Sequence, residues 1–250
     1  MTNRFSLALA LLALPFNMAD AGTHSLKNMA AMSQNNNSSV FPVQSRPYGL
    51  SYGDWSALWW YWAFSLPNDH TPLFGTADCS ANQIGPVWFL PGAPAGEPGP
   101  RQNCTVPPGR SLFVALINAE CSNLEGSGNT EGQLRGCADS IGTLIDPNSL
   151  KASLDGEPII GLSHFQVESP LFFFGPLPHN NLITYFCVDQ GEGCPEAPAG
   201  SIGYSVGVGV YLMFQPLPVG THTLYFHAEI PAANYIIDTT YHLTVSPHAQ

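Results

Sequence analysis

Three groups of residues carry types and spacings that could do chemistry. The pentapeptide Gly203-Tyr204-Ser205-Val206-Gly207 has the G-x-S-x-G spacing of serine hydrolases. That spacing serves catalysis when a sharp strand-to-helix turn holds the serine hydroxyl beside an oxyanion hole. Here the residues that follow, Val208 to Phe214, read as strand, and no alternation of strands and helices surrounds them. A Gly-rich strand is the competing account of Ser205. Six carboxylates, Asp54, Asp69, Asp78, Glu120, Glu168 and Glu229, are available for paired acid and base work of the glycosidase kind. Separation of the carboxyl groups in space decides that mechanism, and sequence spacing does not reveal it. Asp54, beside a tryptophan cluster, and Glu120, at the end of an apolar run, join Ser205 as catalytic candidates; solvated or capping roles are the alternative for both carboxylates.

The histidines fall late, at His222, His227 and His242, with Glu229 and Asp238 nearby. On an extended strand His227 and Glu229 share a face and His222 points to the other. A metal ion would therefore have to recruit His164, His179 or His242 from another strand, and the His-x-His pair favoured by jelly-roll metal sites is missing. The expectation is no metal and no cofactor, with His222, His227, Glu229 and His242 as the residues to inspect. His222 reads as a corner residue that hydrogen-bonds a loop.

The third group is aromatic. From Ser51 to Ser65 the chain holds Trp55, Trp59, Trp60, Tyr61, Trp62 and Phe64. Ser51 with Asp54 three residues later is a capping-box start, and Pro67 limits continuation, so a helix of roughly 13 residues fits between them. Trp55, Leu58, Trp59, Trp62 and Leu66 then share one face, while Trp60, Tyr61 and Phe64 make the other aromatic too. A helix apolar nearly all round is normally buried, as a plug against a sheet. The alternative is a groove in which Trp55, Trp59 and Trp62 stack on a sugar or aromatic ligand, with Tyr52 and Asp54 as polar contacts.

The elements that must position these residues are mostly strands. Pro86 to Leu90 and Leu112 to Asn118 are apolar bursts of the central-strand kind, and Ile202 to Phe214 is a third, with glycines that suggest close packing or bulges. Residues 69–108 otherwise read as Pro- and Gly-rich loop, and 119–143 as a Gly-rich loop holding two cysteines. Asp155-Gly156 between apolar stretches is a hairpin cue. Phe165 to Phe174, Asn181 to Val188, Leu217 to Ala228 and Asp238 to Val245 read as further strands.

All six cysteines, Cys79, Cys104, Cys121, Cys137, Cys187 and Cys194, follow an N-terminal segment built like a signal peptide. Arg4, the apolar run Phe5 to Phe16 and Ala19-Asp20-Ala21 have the order that signal peptidase recognises, with cleavage expected after Ala21. Disulfides follow from that compartment and the even count. Six cysteines allow 15 pairings. Neighbour pairing, Cys79 with Cys104, Cys121 with Cys137 and Cys187 with Cys194, is the simplest, and wide spacings without a CxxC pair argue against zinc. Seven basic against 18 acidic residues, a net charge of −11, exclude a basic stripe for nucleic acid. No later segment is long and apolar enough to cross a bilayer as a helix.

The aromatic helix, Gln83 to Leu90, Val106 to Phe113, Leu154 to Gly156 and Pro216 to His222 together resemble a family of exported microbial proteins. That resemblance implies an exported β-rich fold and carries no activity, so no catalytic residue transfers from it. The last third, with its Pro218-Val219-Gly220-Thr221-His222 turn and closing Tyr241-His242-Leu243-Thr244-Val245 strand, resembles bacterial immunoglobulin-like domains. The expected architecture is a flexible leader over residues 22–45, then one β-sandwich domain over 46–250, immunoglobulin-like or jelly-roll, with an N-terminal aromatic helix and disulfide-tied loops. The expected role is an exported, non-catalytic binding or surface-associated protein, its ligand a carbohydrate or envelope component. An exported hydrolase of a polysaccharide or ester is the alternative.

Overall fold

The computed structural model describes residues 39–73, 79–92, 99–189, 191 and 193–247. The signal segment, most of the leader and Asp78 lie outside the described residues. Ten strands form two five-stranded sheets. In the first, β1 (Val87–Leu90), β3 (Ser111–Ser122), β8 (Gly203–Phe214) and β6 (Gln166–Glu168) lie in that order, and β7 (Phe172–Phe174) pairs with the start of β8. The second runs β2 (Gly99–Val106), β10 (Tyr235–Val245), β9 (Gly220–Ile230), β4 (Lys151–Leu154) and β5 (Glu157–Pro158). Each sheet carries one parallel pair, β1 with β3 and β2 with β10, amid antiparallel ones. The last two strands read in the sequence pair as the β9–β10 hairpin, but β2 adds beyond β10, a strand hidden in sequence by Gly99 and Pro100.

The sandwich core is continuous: Leu112, Val114, Leu212 and Phe214 of the first sheet and Leu224, Phe226, Tyr241 and Leu243 of the second belong to one buried cluster. The opposite face of the first sheet is covered by α1 (Tyr52–Phe64). The Ser51 hydroxyl accepts from the Asp54 N–H while the Asp54 carboxylate accepts from the Ser51 N–H, so the capping box closes and starts the helix where the pattern requires. Tyr52 packs edge-on against Phe113, which stacks on Tyr211 with ring centroids 5.2 Å apart. Because side chains alternate along a strand, Ser205, Gly207, Gly209, Tyr211 and Met213 of β8 all face α1, whereas Val206 and Val208 face the other way. Those two meet α2 (Glu131–Gly142), packed with Leu134, Ala138 and Cys121.

Several expectations are corrected. Residues 119–143 are not one loop: β3 runs on to Ser122, and a second capping box, Thr130 with Gln133, starts α2. Asn181 to Val188 is not a strand but the short helix α3 (Leu182–Thr184) continued by a π-type turn over Tyr185–Asp189, begun by the Asn181 side chain on the Thr184 N–H. The Phe165 to Phe174 strand is broken into a turn, β6 and β7 around Pro170. The leader does not extend to residue 45, because Val40 bridges Phe214 and the Phe41 N–H donates to the Met213 carbonyl. The 154–157 hairpin forms as read, with Asp155 and Gly156 at φ 53° and 84°, the left-handed pair its tight turn demands.

All three neighbour disulfides are present, Cys79–Cys104, Cys121–Cys137 and Cys187–Cys194. The first ties the segment before β1 to β2, the second pins β3 to α2, and the third closes the loop after α3. Each shortens the unfolded chain's freedom more than the folded one's. No helix among the described residues is long and apolar enough to cross a membrane.

One side chain joins the N-terminal segment, α1 and β8. The buried Tyr52 hydroxyl donates to the Phe41 carbonyl at 2.6 Å and accepts from the Met213 N–H at 3.1 Å. Burial pushes its ionisation up, against the pull of the Met213 N–H. Tyr52→Phe leaves both backbone groups without that partner and should cost about 1–3 kcal/mol, read as a lower midpoint in urea at unchanged slope.

Candidate functional site

The aromatic binding candidates are placed in the core. Tyr52, Trp55, Trp59 and Trp62 are 1%, 6%, 1% and 4% exposed, so the stacking groove expected from them does not exist. Their indole N–H groups are spent on backbone: Trp55 on the Pro47 carbonyl at 3.0 Å, Trp59 on Leu90 at 3.3 Å and Trp62 on Ala81 at 2.9 Å. The outward stripe of α1 is Leu58 and Tyr61 instead, 39% and 48% exposed. Leu58 had seemed to share the buried face, but β1 and the segment before it cover only the Trp55, Trp59 and Trp62 side. Asp54 is a cap, held below the usual carboxylate range first by the Ser51 hydroxyl and then by the Ser51 N–H and Arg46. That is the structural alternative for Asp54, and it leaves no role in a ligand groove.

Two catalytic candidates do meet. The Ser205 hydroxyl donates to the Glu120 carboxylate and also lies 2.9 Å from the Cys121 carbonyl. The pairing follows from register: Glu120 sits opposite Gly207 and Ser122 opposite Ser205, so Glu120 and Ser205 are diagonal neighbours on the α1 side. Ser205 is fully buried near the start of β8, where the backbone stays extended. The G-x-S-x-G sequence therefore does not make the turn that would expose a nucleophile, and its two glycines serve packing. A Cβ at Gly203 would stand 2.4 Å from the Phe174 ring, and one at Gly207 2.7 Å from the Trp60 indole.

Among the described residues the remaining candidate carboxylates do not converge with Glu120. Glu168 faces α2, where it pairs with Arg135; burial and the neighbouring Asp139 raise its pKa against that pairing. Glu229 lies on the outer face of the second sheet, and Asp69 pairs with His70 at 3.0 Å.

That outer face, between β4, β9 and β10, gathers polar residues that no other element among the described residues covers. His227 lies between two carboxylates, with Nδ1 3.1 Å from Asp238 and Nε2 2.9 Å from Glu229. His227 and Glu229 thus share a face, as strand periodicity requires. Register sets Lys151, His227 and Asp238 side by side across three strands, and Ser153, Tyr225 and Thr240 on the next rung. Thr223 and the exposed His242 follow. Burial and Asp238 raise the Tyr225 pKa. Asp238, already noted near the late histidines, is set against His227 by cross-strand register, and Tyr225 and Lys151 are the parts of this cluster that single-strand reading missed. Among the described residues no group of three His, Cys, Asp or Glu is arranged to hold a metal. His222 sits at the far end of β9, and His242 is four residues from Asp238, roughly 13 Å along the strand.

His222 is the corner residue its turn position implies. Its Nδ1 is 2.7 Å from Asp155 and its Nε2 2.9 Å from the Pro218 carbonyl, while Asp155 also accepts from the Thr223 N–H. Burial opposes the charged ring, but Asp155 and the Pro218 carbonyl outweigh it and raise the His222 pKa above 6.5. Burial likewise opposes the Asp155 charge, and His222 with the Thr223 N–H overcomes it, holding Asp155 below 3.8.

No protein-family model matches this sequence, and no curated protein or solved structure matches it.

The raised His222 pKa stabilises the fold fully below pH 6.5, and the contribution is lost as pH rises through the higher folded value. The depressed Asp155 pKa contributes above 3.8 and is lost as pH falls through its lower folded value. Asp155→Asn should therefore destabilise most between those limits and less in alkali. Denaturant midpoints of both proteins across pH check this, and a pH-independent difference would sink the ion-pair account.

Proposed function

We propose that this chain is an exported, non-catalytic binding or surface-associated protein that uses the outer face of the β4, β9 and β10 sheet to hold a carbohydrate or another hydroxyl-rich envelope polymer. The observation that carries this reading is the pair of polar rungs, Lys151 with His227 and Asp238, then Ser153 with Tyr225 and Thr240, laid across three strands of one rigid sheet. Such a face offers donors and acceptors at strand spacing, about 4.8 Å across the sheet and about 7 Å along it. The His227 contacts hold the carboxylates of Asp238 and Glu229 in place, so little side-chain freedom is lost on binding. Tyr225 adds the amphipathic ring common at polar interfaces. An open, flat face suits an extended polymer, whereas small-molecule sites are concave. The three disulfides accord with an oxidising compartment outside the cytosol.

The second reading, an exported hydrolase of a polysaccharide or ester, draws on the contact between Ser205 and Glu120. It requires a substrate carbonyl to reach a fully buried hydroxyl on an extended strand. Ester turnover by the purified protein that vanishes in Ser205→Ala would establish it over the first.

Retention of the oxidised protein on insoluble cellulose, chitin and peptidoglycan tests the binding reading. At least one should retain it, and Tyr225→Ala should weaken retention by about tenfold or more, the equivalent of roughly 1.4 kcal/mol. Passage through all three, or equal retention of the variant, overturns the assignment to this face.

A further inference from the structure

The imidazole at the centre of the outer face makes a demand on protons that its neighbours do not. His227 Nδ1 is 3.1 Å from the Asp238 carboxylate and Nε2 2.9 Å from the Glu229 carboxylate. An ionised carboxylate only accepts, so each contact needs a proton on the ring nitrogen, and a neutral imidazole carries one such proton. The geometry therefore belongs to the imidazolium, which donates from both nitrogens at once. In the neutral ring the second nitrogen turns its lone pair toward carboxylate oxygen, and that contact becomes repulsive.

Three strands surround the ring. On its own strand Tyr225 precedes and Glu229 follows by two positions, so both share its face. From β10 comes Asp238, and from β4 the exposed Lys151, opposite His227. His242 lies four residues beyond Asp238 along β10. Among the described residues two acids and one ammonium thus flank the ring. The His227 side chain is 13% exposed, against 35% for Glu229 and 47% for Asp238, so the ring is enclosed while its partners reach the surface that a polymer would touch. Backbone positions are fixed independently of the ring: the Glu229 N–H donates to Ser149 Oγ at 2.9 Å, its carbonyl accepts from the Asp146 N–H at 3.0 Å, and Asp238 sits in the β9–β10 ladder. What the ring protons govern is the orientation of the two carboxylates.

We propose that His227 is a protonation switch for the outer face: the charged ring clamps Asp238 and Glu229 as a fixed pair of acceptors for polymer hydroxyls, and loss of one ring proton releases one of them. The inference rests on the binding reading above and gives it a direction with pH. A clamped carboxylate still has lone pairs for a ligand hydroxyl, since its two oxygens offer about four acceptor positions. A released one has to be ordered when the polymer binds, which weakens association roughly two- to tenfold for one side chain. Binding is therefore tighter with the ring charged.

Retention of the oxidised protein is measured at about pH 5 and about pH 8, the range in which histidine as a residue type changes charge, on whichever of cellulose, chitin and peptidoglycan holds it. The unmodified chain should bind roughly two- to tenfold more weakly at the higher pH. His227→Gln, which does not titrate, should bind equally at both. Asp238→Asn should flatten the profile as well, because its amide N–H can donate to the unprotonated ring nitrogen and keep both contacts. Independently of any polymer, nitrogen NMR of the imidazole, assigned by its absence in His227→Gln, should show protons on both ring nitrogens at the lower pH and on one at the higher. A ring in the same state at both pH values, retention that ignores pH, or a pH effect that survives in His227→Gln overturns the proposal and leaves the outer-face reading in place. Passage through every polymer at both pH values overturns that reading and the proposal together.

Discussion

An aromatic helix that is apolar on almost every side has to be covered on almost every side, and the architecture is arranged around that demand. Only Leu58 and Tyr61 of α1 reach solvent substantially. One flank packs on β1, where Trp55 and Trp62 meet Phe89; another lies on β8, where Trp60 stacks with Phe64 and Phe64 with Phe174 at 4.3 Å. Three indoles reach backbone carbonyls, so burying them leaves those N–H groups satisfied. The price falls on β8, which must give up side chains at Gly203 and Gly207 to admit Phe174 and Trp60. Strand glycines, normally a weakness, are here what lets a bulky helix approach the sheet.

The same approach explains why a hydrolase-like pentapeptide occurs without hydrolase geometry. Gly203 and Gly207 flank Ser205 at alternate positions because all three face α1, and only the outer two lie under aromatic rings. Ser205 is then the small residue between them, turned toward Glu120. A spacing that one fold uses to bend a strand into a helix is produced in this one by the size of two rings.

Much of this was legible in the sequence where a signal is local. Ser51 with Asp54, Asp155 with Gly156 and the buried bursts at 87–90 and 203–214 each depend on residues a few positions apart, and each element forms; the cysteines, 25, 16 and 7 residues apart, pair in simple neighbour order. What was not legible depends on partners distant in the chain. Pro100 and the glycine before it mask β2, which is a strand because β10 lies beside it. Asn181 to Val188 alternates as a strand would, but an Asn181 cap and the Cys187–Cys194 link settle it as helix. For the candidate site, periodicity placed His227 and Glu229 together, while Asp238, Tyr225 and Lys151 needed cross-strand register. The tryptophans misled about ligand binding because composition marks an aromatic helix without saying which side the sheet takes.

Register also distinguishes the two polar regions physically. On the outer face the Asp238 and Glu229 carboxylates are partly open to water and matched to the His227 imidazole between them, so the cost of holding charge there is modest. Beneath α1 the balance differs: an unpaired buried donor typically costs about 1–3 kcal/mol, and three among the described residues, Trp60 Nε1, Asn118 Nδ2 and the Tyr211 hydroxyl, occur within one row. Folded domains hold only about 5–15 kcal/mol in reserve, so three such donors are a heavy load for packing alone to carry. Phenylalanine at 211 would fill nearly the same volume without the hydroxyl, so core packing alone does not call for tyrosine there.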